Sequence, residues 1–219
     1  PIVSALLVSV LTIAFPQHSS AQYLSNGTGS AVVGAFGMVF THESGHAIAG
    51  LLLGREIETF RPYPSKIKWE LENGETTELW NLGFVQIKHD GEGPIWKGDR
   101  DHALVSAMGT GATSASVLLL SPLLPNVSGF GAQSLDDMLF FNTFDWPSYV
   151  VVDSLGLTKG TGDWNQVSRA TKVPMCVWLG ASIATSLLLN QYRLYWRKKA
   201  PEGSPLKQPD AALAMQFSF

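Results

Sequence analysis

The chain has 219 residues, of which 45% are hydrophobic and 15% charged, and its formal net charge is −3. That length suits one domain or one compact bundle. The slight acidity, without any basic stripe, excludes a nucleic-acid partner, and a lone cysteine, Cys176, excludes an internal disulfide. The mean hydropathy of +0.10 averages two unlike kinds of segment. Long stretches with almost no charge alternate with a polar region at 54–101 that holds most of the acids.

Five apolar segments follow one another. The first is Pro1–Phe15. It is followed by Ser19-Ser20-Ala21-Gln22, which looks like a signal-peptidase site, but 1–15 reads better as the visible part of a transmembrane helix. The second is Ser30–Leu53, uncharged except at His42-Glu43-Ser44-Gly45-His46. Between it and the third, 54–101 contains the alternating runs Lys66–Leu71 and Leu82–Ile87, with Asn73-Gly74 between them. Alternation around an Asn-Gly pair predicts a small β-hairpin or sheet at about 56–88, outside or at the edge of the membrane. The third segment, His102–Leu124, is rich in small residues such as Gly109, Gly111 and Ala112. The fourth, Met138–Leu157, is interrupted by Asp145 and Pro147 and could be re-entrant. The fifth is Val173–Leu189, where Cys176 is expected to pack among apolar neighbours. The middle segments approach the roughly 20 residues that span a bilayer. The expected fold is mainly α, a polytopic membrane helix bundle of about four to five spans with a β insertion at 54–101. Residues 1–199 form the domain and 200–219, with Pro201, Gly203, Pro205 and Pro209, an irregular tail.

Charge predicts an orientation. The connections 16–30 and 123–137 hold no Lys or Arg, whereas 54–101 and 158–172 hold many, including Arg55, Arg61, Lys88, Arg100, Arg169 and Lys172. The positive-inside rule therefore puts 54–101 and 158–172 in the cytoplasm. Arg193, Arg197, Lys198 and Lys199 dissent, since five spans would leave them outside.

His42 and His46 stand four apart, so on a helix they share a face about one turn apart. Two imidazoles so placed can reach one zinc ion at roughly 2.0–2.1 Å. Glu43, next to the first of them, can reach water at such a metal and act as general base. A surface-helix reading fails, because apolar runs flank the motif on both sides and three ionisable groups inside an apolar span are costly and usually functional. A proton relay and a pigment or haem ligand are the remaining intramembrane uses, and the pigment or haem reading gives no reason for Glu43. A catalytic zinc site expects a third protein ligand and one open position. His89, His102, Asp136, Asp137, Asp145, Asp153 and Asp163 are the candidates. Asp137 and His102 suit ordinary span ends. Asp153 lies in apolar surroundings, and Asp163 could equally be a helix N-cap. Pattern alone does not separate these last two.

The stretch Thr41-His-Glu-Ser-Gly-His-Ala-Ile-Ala-Gly-Leu-Leu-Leu-Gly-Arg55 resembles the active-site helix of site-2-type intramembrane metalloproteases, most closely the small bacterial branch. Gly162–Gly180 is similar to a later segment of that branch, with Asp163, Thr171, Pro174 and Trp178 matching in order and spacing. Ser106–Ala112 is similar to the small-residue helix that follows its β segment. The resemblance covers about 41–55, 103–120 and 162–180, roughly a quarter of the chain. The resemblance implies a zinc endopeptidase of the bacterial inner membrane, cutting within or near membrane helices. His42, His46 and Asp163 would be its metal ligands, Glu43 its base, and a membrane protein its substrate, with the loop after the motif helix in the cytosol. Lys172 stands where the family usually has Gly, and Gly162 where it usually has Ser. The family's Asn-Pro-Asp-Gly element is absent or degraded, Asn142, Pro147 and Asp153 being differently spaced, which keeps Asp153 open as an alternative ligand. A non-proteolytic accessory subunit of a larger membrane complex is the competing expectation.

Overall fold

A computed structural model describes residues 21–70, 76–87, 99–158 and 162–207. The fold is mainly helical with a small β insertion, as expected. Helix α1 is Ala21–Leu52, α2 Asp99–Leu120, α3 Gly129–Ser154, α4 Asp163–Thr171 and α5 Met175–Arg197. A 3-10 turn, Ser121–Asn126, extends α2, and a second, Pro205–Lys207, lies in the tail. The segment 1–15 lies outside the described residues.

The Gly-Arg exit of the motif helix has a clear local cause. Gly54 has φ +75°. Arg55 N–H donates to Gly50 O at 2.9 Å and Gly54 N–H to Leu51 O at 2.9 Å. These two bonds make the Schellman cap, whose left-handed residue is best a glycine. Helix α3 ends the same way at Gly156, with φ +68°. Pro147 sits inside α3 without ending it, so the expected interruption is one continuous helix of 26 residues.

The β insertion is two antiparallel pairs rather than one hairpin. Ser65–Glu70 (β2) pairs with Thr76–Asn81 (β3), and Ile57–Arg61 (β1) with Phe84–Ile87 (β4). The run that pairs with Ser65–Glu70 is thus 76–81, not 82–87; Asn73-Gly74 lies outside the described residues. The β1–β4 pair rests on the end of α1, where the bare backbone of Gly50 admits Ile57 and Ile87. Phe60 meets Phe40 edge to face.

Helix α1 packs on α2 and α3 through glycines. A Cβ at Gly45 would run into the Met108 carbonyl of α2, and one at Gly34 would stand 2.7 Å from Met138 N of α3. Close backbone approach through small residues is the usual way helices associate in lipid. One apolar core joins Val117, Leu124, Leu139 and Leu189 to Leu206, so the start of the tail folds back on the bundle. A second joins Val150, Trp164 and Val167 beneath α4. Cys176 is exposed, not packed.

Among the described residues, one helical stretch, Ala103–Asn126, is long and apolar enough to cross a membrane. The α4–α5 pair, bent by 118°, passes the same test together. Polar groups face inward: His42, Thr113, Asn142 and Asp145 are at most 3% exposed, whereas Phe40, Leu51, Leu119 and Leu188 are more than half exposed.

Candidate metal centre

Helix α1 carries His42 and His46 on the face turned to α2, α3 and α4. Each ring is held by its Nδ1. His46 Nδ1 lies 2.7 Å from the carbonyl oxygen of Val105, which can only accept. His42 Nδ1 lies 2.9 Å from Asp145 Oδ2, which also accepts from Thr113 Oγ1 at 2.8 Å. Both Nδ1 atoms therefore donate, and in the neutral imidazoles both Nε2 atoms keep a lone pair. His42 is further fixed by stacking on Tyr149, with ring centroids 4.4 Å apart.

The two Nε2 atoms are 3.0 Å apart. Asp163 Oδ2 lies 3.5 Å from that of His42 and 3.3 Å from that of His46. The three atoms converge as a group that could hold a metal ion. The separations are of the order a tetrahedral site requires. A tetrahedron with ligands roughly 2.0–2.1 Å from its centre has edges of about 3.3–3.4 Å. Two imidazoles and one carboxylate are groups that ligate transition metals. The second contacts of both imidazoles are of the kind that orients metal ligands.

Room for an ion comes from α2. A Cβ at Gly109 would stand 2.6 Å from both Nε2 atoms.

Glu43, one residue along α1, is 5% exposed. The segment joining β3 to β4 covers it: a Cβ at Gly83 would stand 2.5 Å from Glu43 Oε1 and 2.7 Å from Val39 Cγ1. Only a glycine leaves that carboxylate its space.

Of the expected third-ligand candidates, Asp163 joins the histidines and Asp153 does not. Asp153 Oδ2 accepts instead from the backbone N–H groups of Trp164 and Asn165, at 2.7 and 3.1 Å. The N-cap role considered for Asp163 is thus filled by Asp153 from another helix. Asp145 stands behind His42 rather than at the metal. Asp136 is ion-paired with Arg193 and with Arg197, and Asp137 packs against Gly34. His89 and the His102 side chain lie outside the description. Thr113 and Gly83 carry no signal in the sequence, since neither belongs to a spaced motif, and Asp145 is marked there only as an acid inside an apolar segment. No family model, curated protein or solved structure matches this chain.

Proposed function

We propose that the chain is an intramembrane zinc metalloendopeptidase of the site-2 type. The observation that carries this is the convergence of His42 Nε2, His46 Nε2 and Asp163 Oδ2 at tetrahedral spacing, with Glu43 next to the first ligand. Zinc bound there would polarise a peptide carbonyl and acidify a water. Glu43 would take the proton of that water and return it to the leaving amine. Asp145, Thr113 and the Val105 carbonyl keep the imidazoles in the binding tautomer. Helix packing around the buried site restricts water.

Residence in a membrane is supported by the inverted distribution of polarity. The apolar runs of helices α1 and α3 are interrupted by groups they turn inward: His42, Glu43 and His46 on one, Asp136, Asn142, Asp145 and Asp153 on the other. All but His46 among these are 5% exposed or less. Their outward faces carry Val33, Phe36, Phe40, Phe144 and Val151. A lipid environment would satisfy those faces, which a monomer in water would leave as a large apolar patch. We therefore read a bundle of about four to five spans, contacting lipid and a membrane-protein substrate, in a bacterial inner membrane with 54–101 and 158–172 cytoplasmic. The substrate helix must unwind locally, because its carbonyls are otherwise engaged.

A second reading is favoured by one contact. The Gly83 backbone lies against Glu43, and a peptide must displace it to reach the base. A chain in which this cover never opens would be a metal-binding, non-cutting subunit of a larger membrane complex. Glu43→Gln decides whether cutting occurs and by which group. In purified protein with a transmembrane reporter substrate, the variant should retain one zinc per chain and lose cleavage. Unchanged cleavage would refute the base assignment, and a wild type that binds zinc but cuts no reporter would favour the second reading.

A further inference from the structure

Asp153 is 4% exposed and stands beside the centre without joining it. We propose that Asp153 and Gly162 act as one positioning device, in which a carboxylate on α3 caps α4 in place of residue 162 and thereby fixes Asp163 against the two imidazoles. The consequence for metal affinity rests on the metal reading above; the capping does not.

The first N–H groups of a helix have no partner within it. The ordinary solution is a Ser, Thr, Asn or Asp immediately before the first turn, whose oxygen accepts from the second or third residue of the helix. Helix α4 has Gly162 there, with no side chain to accept. The backbone does not demand glycine, since φ −69° and ψ 160° at Gly162 suit any L residue. Space demands it: a Cβ would collide with the Asp153 carboxyl, coming within 2.6 Å even of its farther oxygen Oδ2. That oxygen accepts from Trp164 N–H and Asn165 N–H, the second and third residues of α4. These are the two donors that a side chain at 162 would have served. A carboxylate at this end also faces the positive pole of the helix dipole.

Other contacts hold α4 to the same support. Trp164 stacks on Trp146 of α3, with centroids 5.0 Å apart, and Asn165 Nδ2 donates to Thr158 Oγ1 at 3.1 Å. Asp163 opens the helix that this clamp secures. Helix α3 thus sets two elements of the centre, the His42 ring through Asp145 and the place of Asp163 through Asp153.

The test uses the full chain in detergent, with cobalt(II) as the probe. Absorption in the visible reports affinity and ligand geometry, and thermal unfolding reports the cap. Asp153→Ala removes the acceptor, and Gly162→Ser puts a Cβ into the carboxylate. Each should weaken cobalt binding by about tenfold and lower the unfolding midpoint. The double variant has space at 162 and a hydroxyl that can accept from the same two N–H groups. It should recover to within about threefold of wild-type affinity and regain most of the midpoint. Losses in the double equal to the product of the two singles would overturn the proposal, as would a Gly162→Ser chain indistinguishable from wild type. If a single variant fails to fold, a folded double carries the same support and an unfolded one the same contradiction. If the wild type binds no cobalt, the metal reading fails, and the midpoints alone still decide the cap.

Discussion

Gly109 shows how narrowly the centre is built. Its missing side chain is the space between the two imidazoles, where a Cβ would lie 2.6 Å from each Nε2. Gly109→Ala is a favourable change for helix propensity, so the fold should persist. Zinc stoichiometry after dialysis should nevertheless fall from one per chain to near zero. Lys172 shows the opposite economy. It ends α4 with φ +60°, a left-handed position that suits glycine. Its side chain is exposed and carries no packing. Lys172→Gly should therefore raise stability by roughly 0.5–1 kcal/mol, read as a higher thermal unfolding midpoint in detergent; a lowered midpoint would show that the lysine has a role the backbone does not explain. The ligands themselves were differently legible. His42, Glu43 and His46 declare themselves through helical spacing, because their geometry is local. Asp163 and Asp153 could not be separated by pattern, because both are acids near one loop. Which one reaches the histidines depends on how α4 docks against α3. Asp145 was legible only as a buried acid, since its partner His42 lies 103 residues away.

Among the elements, the β insertion departs most from its sequence pattern. Alternation located strands in 66–71 and 82–87, but pairing is a long-range choice. The β1–β4 register, Arg61 opposite Phe84 and Ile57 opposite Ile87, brings Gly83 down on α1. That places a strand entrance on Glu43, which no local signal foretells. Gly83→Ala tests the contact. Either Glu43 or the segment must shift by about an ångström, and misplacement of a base by that much can cost about a hundredfold in rate. Zinc content should be unchanged while reporter cleavage falls by about that factor. Full activity in Gly83→Ala would mean that the segment leaves Glu43 before the chemical step. The helices were more legible than the strands, because long apolar runs bounded by Gly54 and Gly156 mark their own ends. Pro147 misled only locally: it removes one hydrogen bond, and α3 is held on both sides by packing against α1 and α5.

At the scale of the whole molecule, several polar groups are buried while large apolar side chains lie outward, and the proposed membrane would receive those outward faces. Arg193 and Arg197, which opposed the expected orientation, are buried against Asp136, and Arg197 Nε also donates to Leu206 O at 2.9 Å. The central claim is the metal itself, and X-ray absorption at the zinc edge of the purified, zinc-loaded chain reads it most directly. One tightly held zinc per chain should show two imidazole nitrogens and carboxylate or water oxygen at about 2.0–2.1 Å, with the signal lost in Asp163→Ala and kept in Asp153→Asn. A shell of oxygen alone, or a chain that retains no zinc at neutral pH, would contradict it.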